Sequence, residues 1–257
     1  MPVLEIDGLK VTYEEAGDGL PVVFVPGMAE SIECFRHQIL GLSPNYRVIA
    51  YELRPAKQTG DYSVALLASD LAKLLGNLRA HSAAICGHSF GGMVAQELAI
   101  AHPDLAAALV LMSSFPRLPE AHPDRLLSWL TPHGATFQKS FGWFRKAFGK
   151  RVDPDSHEWL AQQAASISRQ TVEAQLRAAQ SFDATERLGE IEAPTLVMVG
   201  EKEREEVQSA GQMLFESIAD TALEVIEGGD HFNYFFRHDL VNAAIDDFLT
   251  SRMASIS

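Results

Sequence analysis

The chain has 257 residues, 47% of them hydrophobic and 21% charged, so it can bury one sizeable core without external staples. A formal net charge of −13, with no basic patch set against it, is expected to repel nucleic acid and anionic membranes. Two cysteines make no disulfide framework, no stretch is long and apolar enough to span a membrane, and residues 1–5 lack the basic-then-apolar order of a signal peptide; a cytoplasmic protein is expected.

Val3–Ile6 and Leu9–Glu15 read as two strands around an Asp7-Gly8 turn. Pro21–Val25 is a short apolar run of the kind covered on both faces. It runs into Pro26-Gly27-Met28-Ala29-Glu30-Ser31, where Ser31 is placed to cap a helix through about Leu40. Tyr46–Tyr51 is the next strand, and Glu52–Gly60 the loop after it. From Ser63 to about Arg79, Leu66, Leu67, Leu71, Leu74, Leu75 and Leu78 share one side of a helix.

The stretch that organises the chain follows. An apolar strand, Ala83–Cys86, ends at Gly87, and helix formers run from Phe90 to His102, before Pro103. Between them lies Gly87-His88-Ser89-Phe90-Gly91, a G-x-S-x-G sequence. A sharp strand-to-helix turn there pushes the Ser89 hydroxyl out of the sheet, and small flanking residues keep the tight backbone free of collisions. Cys86 reads as a small buried hydrophobe, while for Cys34 a reactive thiol stays open.

Leu109–Met112 is another strand, after which the pattern changes. Residues 115–186 show no strand signal; periodic segments near Asp124–Leu130, Thr136–Phe148, Ser156–Ser168 and Thr171–Ser181 read as a helical insertion of some four helices. Strand signal returns at Pro194–Gly200 and Leu223–Ile226, with helices at about Gln208–Ala219 and Arg237–Ser251 and a short tail. The expected fold class is α/β: a mainly parallel sheet with helices on both faces, and a helical insertion after the sixth strand. The core would comprise 1–114 and 187–257, and the insertion 115–186.

On Val25-Pro26-Gly27-Met28, Gly87–Gly92, Pro194–Glu203 and Gly229-Asp230-His231-Phe232, the chain resembles α/β-hydrolase-fold proteins of the small, capped esterase type, over nearly its whole length. It departs from their pattern at Pro26-Gly27, where His-Gly is usual, at Glu203, where Asp is more frequent, and at Glu52–Thr59, which keeps only Arg54 of the usual loop. The resemblance implies that the insertion 115–186 is a helical cap. It also implies a catalytic set Ser89, Glu203 and His231 in that chain order. A serine hydroxyl needs a base to take its proton, and imidazole titrates in the right range. A carboxylate on the other ring nitrogen fixes the tautomer. Glu201, Glu205 and Glu206 crowd the same loop and stay open as alternatives to Glu203. The side chain of His88 should point away from the Ser89 proton, and His81, His102 and His238 read as solvated.

The oxyanion hole implied is the backbone N–H groups of Met28 and Phe90. Phe115, Trp129, Phe141, Trp143 and Phe232 are candidates to line a pocket for an apolar acyl or aromatic group. No His/Asp/Glu cluster has metal-ligand spacing and no phosphate-cradling G-x-x-x-x-G-K-[ST] occurs, so neither metal nor cofactor is expected. The expected function is hydrolysis of a small carboxylic ester or thioester through an acyl-enzyme. C–C bond hydrolysis, perhydrolysis or lyase chemistry with the same three residues, and a non-catalytic small-ligand receptor, stay open, as does a homo-oligomer.

Overall fold

The computed structural model describes residues 1–58, 61–118, 162 and 166–253. Eight strands form one sheet in the order β1-β2-β4-β3-β5-β6-β7-β8. They are β1 (Val3–Ile6), β2 (Leu9–Ala16), β3 (Pro21–Val25), β4 (Arg47–Tyr51), β5 (Ala83–His88), β6 (Ala106–Met112), β7 (Thr195–Gly200) and β8 (Thr221–Ile226). The first two pairings, β1 with β2 and β2 with β4, are antiparallel, and every later pairing is parallel.

Parity along the central strands divides the core in two. Val23, Val25, Ile49, Ile85, Leu109, Leu111 and Val197 face one side, where they pack with α2 (Val64–Asn77) and α3 (Phe90–Ala101). Their neighbours Val22, Phe24, Val48, Ala50, Cys86, Val110, Met112 and Met198 face the other, against α1 (Arg36–Leu42) and residues of the last helix. Both faces of these strands are therefore apolar, which is why they read as continuous runs rather than alternating ones. Apolar burial at about 25 cal/mol per Å² is what holds this layered arrangement together.

Ser31 stands at the expected N-cap position, with extended backbone, but of a 3-10 turn, Ile32–Phe35, from which α1 continues to Leu42. Ser31 makes no side-chain cap hydrogen bond; the Ile32 N–H instead donates to the Glu52 carboxylate at 3.0 Å. A carboxylate delivered from the next loop does the job of a local cap. Ser63 does cap α2, accepting from the Leu66 N–H. Arg54, the one residue kept from the usual loop after β4, makes two 2.6 Å hydrogen bonds to Asp70 of α2, so it clamps that loop to the helix.

Residues 113–194 separate β6 from β7, and within them α4 (Arg169–Ser181) is described, capped by Ser168. The other expected insertion helices, near 124–130, 136–148 and 156–168, lie wholly or largely outside the described residues. After β7 comes α5 (Glu205–Ser217), starting three residues before the expected point. Glu205 and Glu206 occupy its first turn, where negative charge suits the helix dipole. A short turn, α6 (Asn233–Phe236), precedes α7 (His238–Met253) and was not expected, because four residues are too few to show a period. No helix among the described residues is long and apolar enough to cross a membrane.

The strand order reverses direction at β3: the chain moves from β3 to β4 on one side, then to β5 on the other. In such a sheet the carboxyl ends of the strands flanking the reversal open into a crevice. The ends of β3 and β5 carry the Pro26–Glu30 loop and Ser89.

Candidate active site

Ser89 sits between the last residue of β5 and the first of α3, with φ 48 and ψ −113. A left-handed backbone at a residue with a Cβ costs on the order of 1–3 kcal/mol and persists only where surroundings over-determine it. They do so here. The Ser89 N–H donates to the Met112 carbonyl at 2.9 Å, and the Ser114 hydroxyl donates to the Ser89 carbonyl at 2.9 Å. Gln96 of α3 in turn donates to the Phe115 carbonyl at 3.0 Å, which fixes the loop that carries Ser114. A Cβ at Gly92 would stand 2.2 Å from the Ser114 hydroxyl oxygen, so this turn is locked only because that position is bare.

His231 and Glu203 approach from the loops after β8 and β7. The Ser89 Oγ lies 3.2 Å from His231 Nε2, and His231 Nδ1 lies 3.4 Å from Glu203 Oε2. The two loops are joined directly: the Lys202 N–H donates to the Gly229 carbonyl at 2.8 Å. The Glu203 side chain is 2% exposed, against 25% for the ring of His231, so the carboxylate lies behind the imidazole and away from water. Of the other glutamates nearby, Glu201 accepts from the Gly228 N–H, and Glu205 and Glu206 lie exposed on α5.

Burial pushes the Glu203 carboxyl up, but the neighbouring His231 ring outweighs it, helped by the Ser113 hydroxyl, and holds the group below its ordinary value. Ser113 is itself held by Asn233, whose side-chain amide donates to its hydroxyl at 3.2 Å. Burial pulls His231 down, yet the Glu203 charge outweighs it and raises the ring above 6.5. The ring thus has an anion on one nitrogen and a hydroxyl on the other, the arrangement that lets an imidazole accept a proton from that hydroxyl.

Two side chains hold the backbone of the loop after β3. The Gly27 N–H donates to Glu30 Oε2 at 2.6 Å, and the Ala29 N–H donates to Gln175 Oε1 of α4 at 3.1 Å. Ala29 takes φ 59, so the loop is bent through a left-handed residue. Met28 lies between these two fixed amides. Phe90 is the first residue of α3, and helix-opening N–H groups have no intrahelical acceptor. Phe115 and Met28 are each 8% exposed and belong to the apolar cluster under α3, and Phe232 packs edge-on to the His231 ring at 5.6 Å. Trp129, Phe141 and Trp143 lie outside the described residues.

His88 does point away from the Ser89 hydroxyl, as its place in the strand demands, but it is not idle: the ring is buried among Glu30, His231 and Tyr234. Glu30, Ser113 and Gln175 were invisible to sequence reasoning, since nothing in their local spacing sets them apart. Cys34, left open as a reactive thiol, is 1% exposed; burial first, then the Glu30 charge, pushes it up to about 12. It has no appreciable thiolate near neutrality. Among the described residues no group of three or more His, Cys, Asp or Glu side chains is disposed to hold a metal ion.

Comparison with known proteins agrees with this architecture. A family model described as the alpha/beta hydrolase family matches residues 22–244. The chain is 27% identical to a protein of Variovorax paradoxus named "Putative carbamate hydrolase RutD", over 94% of this chain and 96% of that one. It is 26% identical to 3-oxoadipate enol-lactonase 2 of Acinetobacter baylyi, over 91% of this chain and 90% of that one. Among solved structures, a hydrolase from Pseudomonas aeruginosa PA01 superposes with a TM-score of 0.84 at 23% identity, covering 96% of this chain and 97% of that one.

Proposed function

Because the chain belongs to the alpha/beta hydrolase family, we propose that it is a serine hydrolase that cleaves a small carboxylic ester or thioester through Ser89, His231 and Glu203. The observation that carries this reading is the 3.2 Å approach of the Ser89 hydroxyl to His231 Nε2, with the buried Glu203 carboxylate on the far nitrogen. Ser89 attacks the acyl carbon as His231 takes its proton, and Glu203 stabilises the imidazolium. The N–H groups of Phe90 and Met28 meet the developing oxyanion, a contribution on the order of 3 kcal/mol for each donor. The leaving group departs with the proton held by His231. Water, deprotonated by the same ring, then releases the acid and restores Ser89.

An enol-lactone is a cyclic carboxylic ester, and the relative named for one supports an ester carbonyl as the point of attack. The apolar surroundings of Met28, Phe115 and Phe232 suit an apolar or aromatic acyl group, with Trp129, Phe141 and Trp143 proposed to complete the pocket. A fluorophosphonate probe tests the assignment. It should label the folded wild-type protein and not Ser89→Ala; a folded wild type that resists labelling would favour a ligand receptor on the same fold.

The pH dependence gives a second test. His231 serves as base only when neutral, and Glu203 raises its pKa, so kcat/KM should fall on the acid side with a midpoint above 6.5. In Glu203→Gln the ring loses that charge. The acid limb should move to lower pH, and the plateau should drop about a hundredfold, less than on losing Ser89 or His231. Wild-type activity and an unmoved limb would place the acid elsewhere.

A further inference from the structure

Behind the Ser89–His231 pair lies a second, buried link that joins the loop after β3 to the loop after β8. Glu30 Oε2 accepts the Gly27 N–H at 2.6 Å, and Glu30 Oε1 lies 2.7 Å from His88 Nδ1. The other ring nitrogen, Nε2, lies 2.8 Å from the His231 carbonyl oxygen. A carbonyl and a carboxylate both only accept, so Nε2 donates to the His231 carbonyl, and one of Nδ1 and Glu30 Oε1 must also carry a proton for their 2.7 Å approach to hold. The side chains of His88 and Glu30 are 1% and 6% exposed. Gly27 is bare where this happens: a Cβ there would stand 2.9 Å from both the Glu30 carboxylate and His88 Nδ1. One chain of contacts thus runs from the Gly27 amide through Glu30 and His88 to the backbone of His231.

Resting on the serine-hydrolase reading, we propose that Glu30 and His88 are positioning residues that hold the oxyanion loop and the His231 backbone in one frame. Neither touches the reacting atoms. Their task is spacing: the Met28 amide and the His231 ring must serve the same tetrahedral centre, yet they come from loops more than two hundred residues apart in the chain. A rigid link between the loops sets that distance, and misplacement by about 1 Å is worth on the order of a hundredfold in rate. A buried polar link is also expensive to leave half-made, so the two side chains act as a unit. The Tyr234 ring, 4.5 Å from the His88 ring between centroids, closes the remaining side.

The test is kinetic. With p-nitrophenyl acetate as substrate, Glu30→Leu and His88→Leu should each lower kcat about 10–100-fold while KM stays within about threefold. Glu30→Gln should stay within about threefold of wild type, because its amide oxygen can accept from Gly27 while its NH2 donates to His88 Nδ1, leaving the Nε2 proton for the His231 carbonyl. Glu30→Asp keeps the charge but is one methylene too short to span both partners, so its kcat should fall below that of Glu30→Gln. That order decides the matter even if the leucine variants fail to fold. Asp at or above Gln, or a folded Glu30→Leu with unchanged kcat, overturns the proposal. Fluorophosphonate labelling of wild type separates the two levels: no labelling removes the Ser89 reading, whereas labelling with unchanged kcat in Glu30→Leu removes this inference alone.

Discussion

Ser89→Ala and His231→Ala are each expected to lower the turnover of p-nitrophenyl acetate at least about a thousandfold, with the fold intact in both. The Ser89 substitution removes one oxygen from a position where the surrounding backbone is fixed by main-chain carbonyls and by Ser114. Alanine fits there as well as serine, since both carry a Cβ at φ 48. Loss of rate therefore reports chemistry rather than collapse. His231 is more exposed, and its backbone carbonyl, rather than its ring, takes the bond from His88. The double variant should be little slower than either single one, because a nucleophile without its base and a base without its nucleophile are equally disabled. A residual rate above background would be the work of the Met28 and Phe90 N–H groups proposed to meet the oxyanion. Should Ser89→Ala keep more than about a tenth of wild-type turnover, another group does the attacking.

What could be read beforehand divides by the range over which the signal acts. Strands β3, β5 and β7 are covered on both faces, so Val22–Val25, Ala83–Cys86 and Leu196–Val199 announce themselves as apolar runs, and Ser89 as the residue at a turn between a strand and a helix. These are local facts. The choice among Glu201, Glu203, Glu205 and Glu206 is not local: it depends on which carboxylate the β7–β8 loop contact buries behind His231, and on Ser113 and Asn233 arriving from two other elements. Ser31 shows the opposite failure, a valid local cap signal displaced by Glu52 from the next loop. Glu30 and His88 were beyond reach for the same reason. Their meaning lies in a juxtaposition of three loop ends that only the sheet order creates. Gln175 adds a fourth element, since α4 reaches across from the insertion to hold the Ala29 amide.

Gly91→Ala should be the most damaging single-methyl addition near the site, through packing alone. A Cβ on Gly91 would stand 2.1 Å from the Val25 carbonyl oxygen and 2.6 Å from that of Pro26, both main-chain atoms at the end of β3. Main chain cannot swing aside as a side chain does, so α3 or the loop after β3 must move by about 1 Å. Alanine improves helix propensity by about 1 kcal/mol over glycine, but overpacking a buried contact costs about 1–3 kcal/mol or more, so the sum is unfavourable. The displacement also falls where it matters: α3 carries Ser89 and Phe90 at its start, and the loop after β3 carries Met28. Turnover of p-nitrophenyl acetate should therefore drop on the order of a hundredfold beyond what the loss of folded protein explains. Gly76→Ala is the control, because a Cβ there meets nothing within 4 Å; in the exposed last turn of α2 it should raise stability by about 0.5–1 kcal/mol and leave turnover unchanged. Thermal melts and active-site titration of both variants would decide it, and a Gly91→Ala protein with wild-type melting and wild-type turnover would mean that the start of α3 and the end of β3 are not held in contact as described.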